Sequence, residues 1–279
     1  MPAALTGLKV LTVSLNLPGP VAAAACTAHG AEVITVLPPA GDPMADYSPS
    51  FFDELHRGQE LRTINLREES GRAEAHELVR RADVLITSSR PQALVRMGMD
   101  FATASAINPL LCQVDIVGYS GERADEPGHD LTYQAEHGLV GEDLPRTLLS
   151  DMAGGQQAFV ECLLALRLRE ATGSGVRREV ALSQAAEFLA TPLRHGLTGP
   201  GDLLGGGTPW YAVYPTADGR VSLAALEPHF RDRLAGLLGV DPGTAAEIVG
   251  AQLRTAFSRE PTRRWQEWAR EHDLPLTAC

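Results

Sequence analysis

Lysine is almost absent from this 279-residue chain: Lys9 is the only one, and the other basic residues are arginines. Acidic residues outnumber basic residues by 35 to 24, which gives a formal net charge of -11. Nonspecific nucleic-acid binding requires many cations to neutralise phosphates. The composition therefore argues against a nucleic-acid partner.

Cysteine is also scarce, and no two cysteines form a CxxC pair. The four are Cys26, Cys112, Cys162 and Cys279. We expect neither a zinc site, nor any other metal site, nor a disulfide framework. The apolar runs are too short to span a bilayer, and the N-terminal run has no basic region typical of a signal peptide. A reduced, cytoplasmic protein without a membrane partner is the expected class.

Strand and helix patterns alternate through the first two thirds of the sequence. Residues 8–13 and 32–36 are typical of buried strands, and an alanine-rich helix opened by Pro18 and Pro20 lies between them. This β-α-β order predicts an open, parallel, Rossmann-like sheet with flanking helices. The first strand-helix turn, residues 14–20, contains no GxGxxG, so the dinucleotide fingerprint is absent.

The composition changes near residue 196. Residues 196–204 belong to a Gly- and Pro-rich stretch and predict a linker. Beyond it, two strand patterns flank the turn at residues 216–219 and predict a β-hairpin, followed by three helices. We therefore expect a large α/β domain at 1–195 and a smaller α+β domain at 205–279.

Two segments carry residues suited to proton transfer. His129 follows Gly128, and Asp151 comes 22 residues later, just before a helix predicted over 153–172. An imidazole and a carboxylate on opposite faces of one carbon could remove a proton and return one. Backbone N–H groups near Met152 to Gly154 could stabilise an enolate oxygen. Asp151 as a plain N-cap and His129 as a structural histidine are the competing interpretations.

An ordered series of short segments resembles the class III CoA-transferase family (CaiB/BaiF type). It consists of LTGLKVL at 5–11, LPGP at 17–20, HGAEV at 29–33, GDP at 41–43, RG at 57–58, ADVLI at 82–86, RP at 90–91 and NP at 108–109. Three further segments are similar to its α-methylacyl-CoA racemase branch. They are GHDLTY at 128–133, DMAGG at 151–155 and ALEPHF at 225–230.

The resemblance implies catalytic roles for His129 and Asp151. It also implies a homodimer in which Glu227 reaches the active site of the partner subunit. The transferases share the aspartate but generally lack the histidine in this context. For the thioester handle, CoA, the resemblance implies contacts from the loop at 15–18, including Leu15, Leu17 and Pro18, and from two arginines, Arg57 and Arg90. A surface role for each arginine is the alternative.

Two departures from the family pattern affect these expectations. Basic residues common in the family are missing after the second strand, and Gln59 stands where a lysine is usual. Weaker CoA binding, or a phosphopantetheine thioester on an acyl carrier protein, would follow. The family's C-terminal return segment is also expected to be missing.

The sequence therefore favours a racemase or epimerase of acyl thioesters resembling 2-methylacyl-CoA, with no prosthetic group. A CoA-transferase with Asp151 as nucleophile is the alternative. A shortened relative that is noncatalytic, or repurposed for a substrate other than CoA, is the third hypothesis.

Overall fold

The computed structural model describes residues 3–279. The chain divides into two compact units, Met1–Ala190 and Thr191–Cys279. The predicted linker at 196–204 falls within the second unit.

The first unit contains a six-stranded, entirely parallel sheet with the order β3-β2-β1-β4-β5-β6. Almost all residues of β1, β4 and β5 are buried, as expected for strands covered by helices on both faces. The predicted Rossmann-like class is therefore confirmed. The strands are β1 Lys9–Thr12, β2 Glu32–Leu37, β3 Glu60–Thr63, β4 Val84–Thr87, β5 Cys112–Val117 and β6 Arg177–Ala181.

The strand order reverses direction between β1 and β4. In such sheets, ligands bind outside the carboxyl ends of the strands at this switch point. The loops that follow β1 and β4 are therefore the expected location of a ligand site. The helices of this unit are α1 Pro18–Ala28, α2 Met44–Tyr47, α3 Pro49–Leu55, α4 Glu69–Val79, α5 Pro91–Met97, α6 Phe101–Ile107, α7 Asp130–Glu136, α8 Leu149–Thr172 and α9 Leu182–Leu189.

Helix α8 is the longest element and packs closely on α1. A Cβ added at Gly155 would lie 2.7 Å from the Pro18 carbonyl oxygen and from Val21 Cβ. A Cβ at Gly154 would overlap the Leu182 side chain. The two glycines after Asp151 therefore allow close helix packing, which fixes the start of α8 beside the loop that follows β1.

The second unit is a small α+β body. Its predicted hairpin is confirmed: β7 Tyr211–Pro215 and β8 Arg220–Ala224 pair antiparallel. The sequence did not reveal β9 Leu276–Ala278, which pairs with β8. The helices of this unit are α10 Thr191–Arg194, α11 Pro228–Leu238, α12 Ala246–Phe257 and α13 Thr262–Glu271.

Within residues 3–279, none of the helices combines the length and apolar character required to cross a bilayer.

Candidate active site

A cavity of about 160 Å³ opens at the carboxyl edge of the sheet. The loops after β1, β4 and β5 line it, together with the first turns of α7, α8 and α9. His129 and Asp151 both line this cavity, which we call the His–Asp cavity. The fold thus brings together the two residues that the sequence selected for proton transfer.

Asp130 connects the segments that carry these two residues. One of its carboxylate oxygens accepts a hydrogen bond from the backbone N–H of Asp151 at 3.0 Å. The other accepts from the side-chain amide of Gln134, one turn further along α7. Asp130 is 5% exposed, so this contact is sheltered from water. These contacts make Asp130 a structural hydrogen-bonding residue.

The interpretation of Asp151 as an N-cap is wrong. Helix α8 begins at Leu149, so Asp151 is its third residue, and the N-cap position is Leu148. The N–H of Met152 already donates to the Leu148 carbonyl at 3.0 Å. The backbone donors expected at Met152 to Gly154 therefore lie inside the helix and are not free for an enolate oxygen.

Burial dominates the electrostatics of Asp151. Loss of solvation, reinforced by the negative charge of Asp130, raises the pKa of its carboxyl to about 7. A carboxyl with such a pKa exists in both protonation states near neutral pH. This is the property required of a group that accepts a proton in one reaction direction and donates it in the other.

His129 lies at the N-terminus of α7 and is exposed. Its backbone N–H donates to the Thr132 hydroxyl at 3.0 Å, and that hydroxyl contacts the His129 carbonyl at 2.7 Å. These contacts hold the main chain. The side chain of His129 lines the cavity.

Tyr133 is a cavity residue to which sequence reasoning assigned no role. Its side chain is 3% exposed, and it lines the His–Asp cavity. The ring lies against two glycines: an added Cβ would be 2.8 Å from Cζ at Gly128 and 3.2 Å from Cζ at Gly118. Burial, with smaller effects from Tyr119 and Asp151, raises the pKa of Tyr133 to about 12. Its position in the same GHDLTY segment, four residues after His129, was the available signal.

The predicted CoA-binding residues separate into two groups. Leu15, Pro18 and Arg90 line the His–Asp cavity. Arg90 has no carboxylate partner in the described part of the chain. Leu17 is 1% exposed and packs with Met44 and Leu55 instead of lining the cavity. Arg57 is exposed at the end of α3 and is also outside the lining.

Glu227 belongs to the second unit. It is exposed and directly precedes α11, where its carbonyl accepts from the N–H groups of Phe230 and Arg231. Its expected contribution to the site of a partner subunit stays a prediction.

A second cavity, of about 570 Å³, adjoins the first and shares Leu15 and Ser89 with it. Pro38, Pro39 and Pro43 line it, so we call it the proline pocket. Arg67 is the basic residue of its lining. The two cavities together extend across the carboxyl ends of β1 and β4, over the switch point of the sheet.

The fold and the paired acid-base groups define a Rossmann-like protein with a cleft at its topological switch point. The model of CoA-transferase family III matches residues 5–279, and the chain belongs to this family.

Curated relatives include both transferases and racemases. Acetyl-CoA:oxalate CoA-transferase from Acetobacter aceti is 29% identical over 310 residues, covering 97% of this chain and 79% of the relative. Alpha-methylacyl-CoA racemase from Homo sapiens is 29% identical over 257 residues, covering 85% of this chain and 65% of the racemase. The specific reaction is therefore left open between these two activities.

Solved structures share the fold. Rv3272 from Mycobacterium tuberculosis aligns with a TM-score of 0.86 at 23% identity, covering 99% of this chain and 83% of that one. A CAIB/BAIF family protein from Brucella suis aligns with a TM-score of 0.85 at 24% identity, covering 99% and 84%.

Proposed function

We propose that this protein is an enzyme that racemises or epimerises an acyl thioester at the carbon next to the carbonyl. The single observation that supports this proposal most strongly is that His129 and Asp151 line one cavity. A transferase that uses a carboxylate nucleophile has no chemical need for the imidazole.

The reaction follows from the two groups. One of them removes the α-proton, and the C–H electron pair forms an enolate whose negative charge lies on the thioester oxygen. The other, initially protonated, delivers its proton to the opposite face of the same carbon. In the enolate state both groups carry a proton, and delivery to the opposite face leaves a proton only on the group that acted as base. The roles of the two groups are therefore exchanged for the other stereoisomer.

The thioester handle would extend from the His–Asp cavity into the proline pocket. Arg90 is placed to meet a phosphate or carboxylate near the first cavity, because a guanidinium suits such anions. Arg67 is the basic residue lining the proline pocket, which favours a handle with little charge at its far end. Phosphopantetheine on an acyl carrier protein fits this description, and CoA bound with modest affinity is the other form of the proposal.

The identity of the thioester handle is tested by comparing the KM of a CoA thioester with that of its 3′-dephospho form and that of an acyl carrier protein thioester. The proposal expects KM values for the two nucleotide forms within about threefold, since one exposed charged contact contributes little. A preference for CoA over dephospho-CoA of about 30-fold would instead reveal a phosphate site supplied elsewhere.

Deuterium incorporation at the α-carbon in heavy water tests the reaction. Wild-type protein should racemise a 2-methylacyl thioester and exchange the α-proton of both stereoisomers. Asp151→Asn and His129→Ala should each lose racemisation and should exchange at most the stereoisomer whose α-proton faces the remaining group. Asp143→Asn, an exposed acid in the loop before α8, is the matched control. An intact wild-type fold that exchanges no α-proton with CoA or carrier thioesters would contradict the proposal.

A CoA-transferase is the second candidate, because transferases are among the relatives. In that reaction the Asp151 carboxylate attacks the thioester carbonyl, forms an anhydride and releases the thiolate. Hydroxylamine should then trap Asp151 as a hydroxamate. A shortened noncatalytic or repurposed protein is the third candidate, and it predicts neither exchange nor trapping.

The pH profile separates the two enzymatic candidates. The free racemase must have one of the two groups, His129 or Asp151, protonated and the other unprotonated. Its kcat/KM should therefore fall on both sides of a pH optimum, with apparent pKa values that belong to the pair. The transferase needs only the Asp151 carboxylate, so kcat/KM should rise through about pH 7 and stay level.

A homodimer with Glu227 orienting His129 across the subunits completes the proposal. Mixing Asp151→Asn chains with Glu227→Gln chains provides the test. A heterodimer of the two would contain one site with both groups intact, so activity should return on mixing. Absence of recovery, with dimers present, would place Glu227 in its own subunit's site or outside any site.

A further inference from the structure

The phenol of Tyr133 has no hydrogen-bond partner among the described residues, although its side chain is buried. It lines the same cavity as His129 and Asp151. The hydroxyl is therefore free to donate to a ligand that enters the cavity. Its neighbour Tyr119 differs, since that phenol lies beside Glu136 and Arg123 instead of in the cavity.

The surroundings of Tyr133 hold the ring in one place. Gly118 and Gly128 lie directly against the ring, since a Cβ added at either position would overlap its atoms. Tyr119 packs edge-on against it, with ring centroids 5.2 Å apart. A hydroxyl fixed in this way is preorganised, and preorganised donors stabilise developing charge best.

We propose that the Tyr133 hydroxyl is a catalytic hydrogen-bond donor to the thioester oxygen, at which the enolate charge develops. This inference rests on the proposed racemase reaction. It replaces the backbone donors at Met152 to Gly154, which the structure places inside α8.

The base takes the α-proton, the C–H pair becomes the C=C bond, and the carbonyl π pair moves onto oxygen. Tyr133 donates a hydrogen bond to this oxygen and keeps its own proton. The pair then returns to the carbonyl, and the acid on the opposite face protonates the α-carbon. A phenol whose pKa is raised to about 12 stays protonated through the cycle.

Tyr133→Phe tests the proposal, because it removes one oxygen and adds no atoms. We expect kcat for α-proton exchange to fall about 100-fold, the scale for loss of one oxyanion donor, with KM changed less than threefold. Tyr119→Phe, which also removes a buried phenol, should keep wild-type kcat. Melting temperatures of both variants show whether folding is affected.

A second variant covers failure of Tyr133→Phe to fold. Replacing Tyr133 by 3-fluorotyrosine keeps the donor but makes it more acidic. Since a more acidic donor stabilises the enolate oxygen better, kcat at the pH optimum should rise, and rise further with 3,5-difluorotyrosine. An unchanged kcat in both would overturn the proposal.

The outcomes separate the two levels of inference. If the wild-type protein exchanges no α-proton, the proposed function is wrong. If the wild-type protein exchanges and Tyr133→Phe exchanges at a rate within threefold of it, only the proposed role of Tyr133 is wrong.

Discussion

The carboxylate of Asp130 accepts the backbone N–H of Asp151 at 3.0 Å and so caps α8 from another element. Leu148, at the N-cap position, provides no side-chain cap. Asp130 also follows His129 directly, so one hydrogen bond fixes both halves of the site. The same carboxylate raises the pKa of Asp151 through its charge.

These two effects of Asp130 can be separated by substitution. Asp130→Asn keeps an oxygen acceptor but removes the charge, so the pKa of Asp151 should fall while stability changes little. Asp130→Ala also removes the cap and should lower the free energy of unfolding by about 1–3 kcal/mol. Carbon-13 NMR titration of the Asp151 carboxyl and urea denaturation measure the two quantities. An unchanged pKa in Asp130→Asn would mean that burial alone sets it.

Asp151 should reduce stability at alkaline pH. Its pKa rises from 3.8 to about 7 on folding, so between these values the folded state binds more protons than the unfolded state. Stability therefore falls as pH rises through this window. Asp151→Asn should be the more stable protein at pH 8 by about 1–2 kcal/mol, and the gain should shrink towards pH 4.

Thermal denaturation of Asp151→Asn at pH 8 and pH 5 measures this gain, with Asp143→Asn as the exposed control. Equal melting-temperature shifts at both pH values would show that ionisation of the buried Asp151 carboxyl does not destabilise the folded state. A gain at pH 8 together with lost racemisation would identify a residue kept for function at a cost in stability.

Arg90 should bind the substrate handle without supporting the fold. It is exposed, lines the His–Asp cavity and has no carboxylate partner in the described chain. Arg90→Ala should raise KM for the thioester about two- to fivefold, the scale of one exposed charged contact, and leave the melting temperature unchanged. Arg96→Ala, at an exposed arginine in α5, the helix that Arg90 directly precedes, should change neither. Equal KM values for the two variants would leave Arg90 without a role in binding.

Local patterns in the sequence predicted what depends on neighbouring residues. Alternation and turn chemistry predicted the parallel sheet and the hairpin at Tyr211–Ala224. The cap of α8 could not be predicted, because Asp130 supplies it across 21 residues. Leu17 was expected near the ligand, but its side chain joins a small core instead. Position within a loop does not reveal which way a side chain points.

The residues of the site also divide into those that local sequence indicated and those whose environment depends on the fold. The short motifs indicated His129 and Asp151, because their chemistry is evident from residue type. The environment of Tyr133 depends on Gly118, which is distant in sequence and meets it only through the fold. The raised pKa of Asp151 likewise needs burial, which a motif does not report.

The Tyr133 ring lies directly behind Gly128, so we expect that only glycine fits at position 128. Neither Gly128 nor Gly141 has a positive φ, so backbone strain is absent at both. A Cβ at Gly128 would lie 2.8 Å from the Cζ and hydroxyl oxygen of Tyr133, whereas one at Gly141 meets nothing within 4 Å. Gly128→Ala should therefore displace the phenol and destabilise the fold by about 1–3 kcal/mol, the cost of overpacking.

Gly141→Ala is the matched substitution and should leave stability and exchange at wild-type levels. Circular dichroism melting and α-deuterium exchange measure both properties. Because the displaced group is the phenol, exchange in Gly128→Ala should fall mainly through kcat, as in Tyr133→Phe. A Gly128→Ala variant that melts and exchanges like Gly141→Ala would show that the Tyr133 ring is free to move, and would remove the argument for a fixed donor.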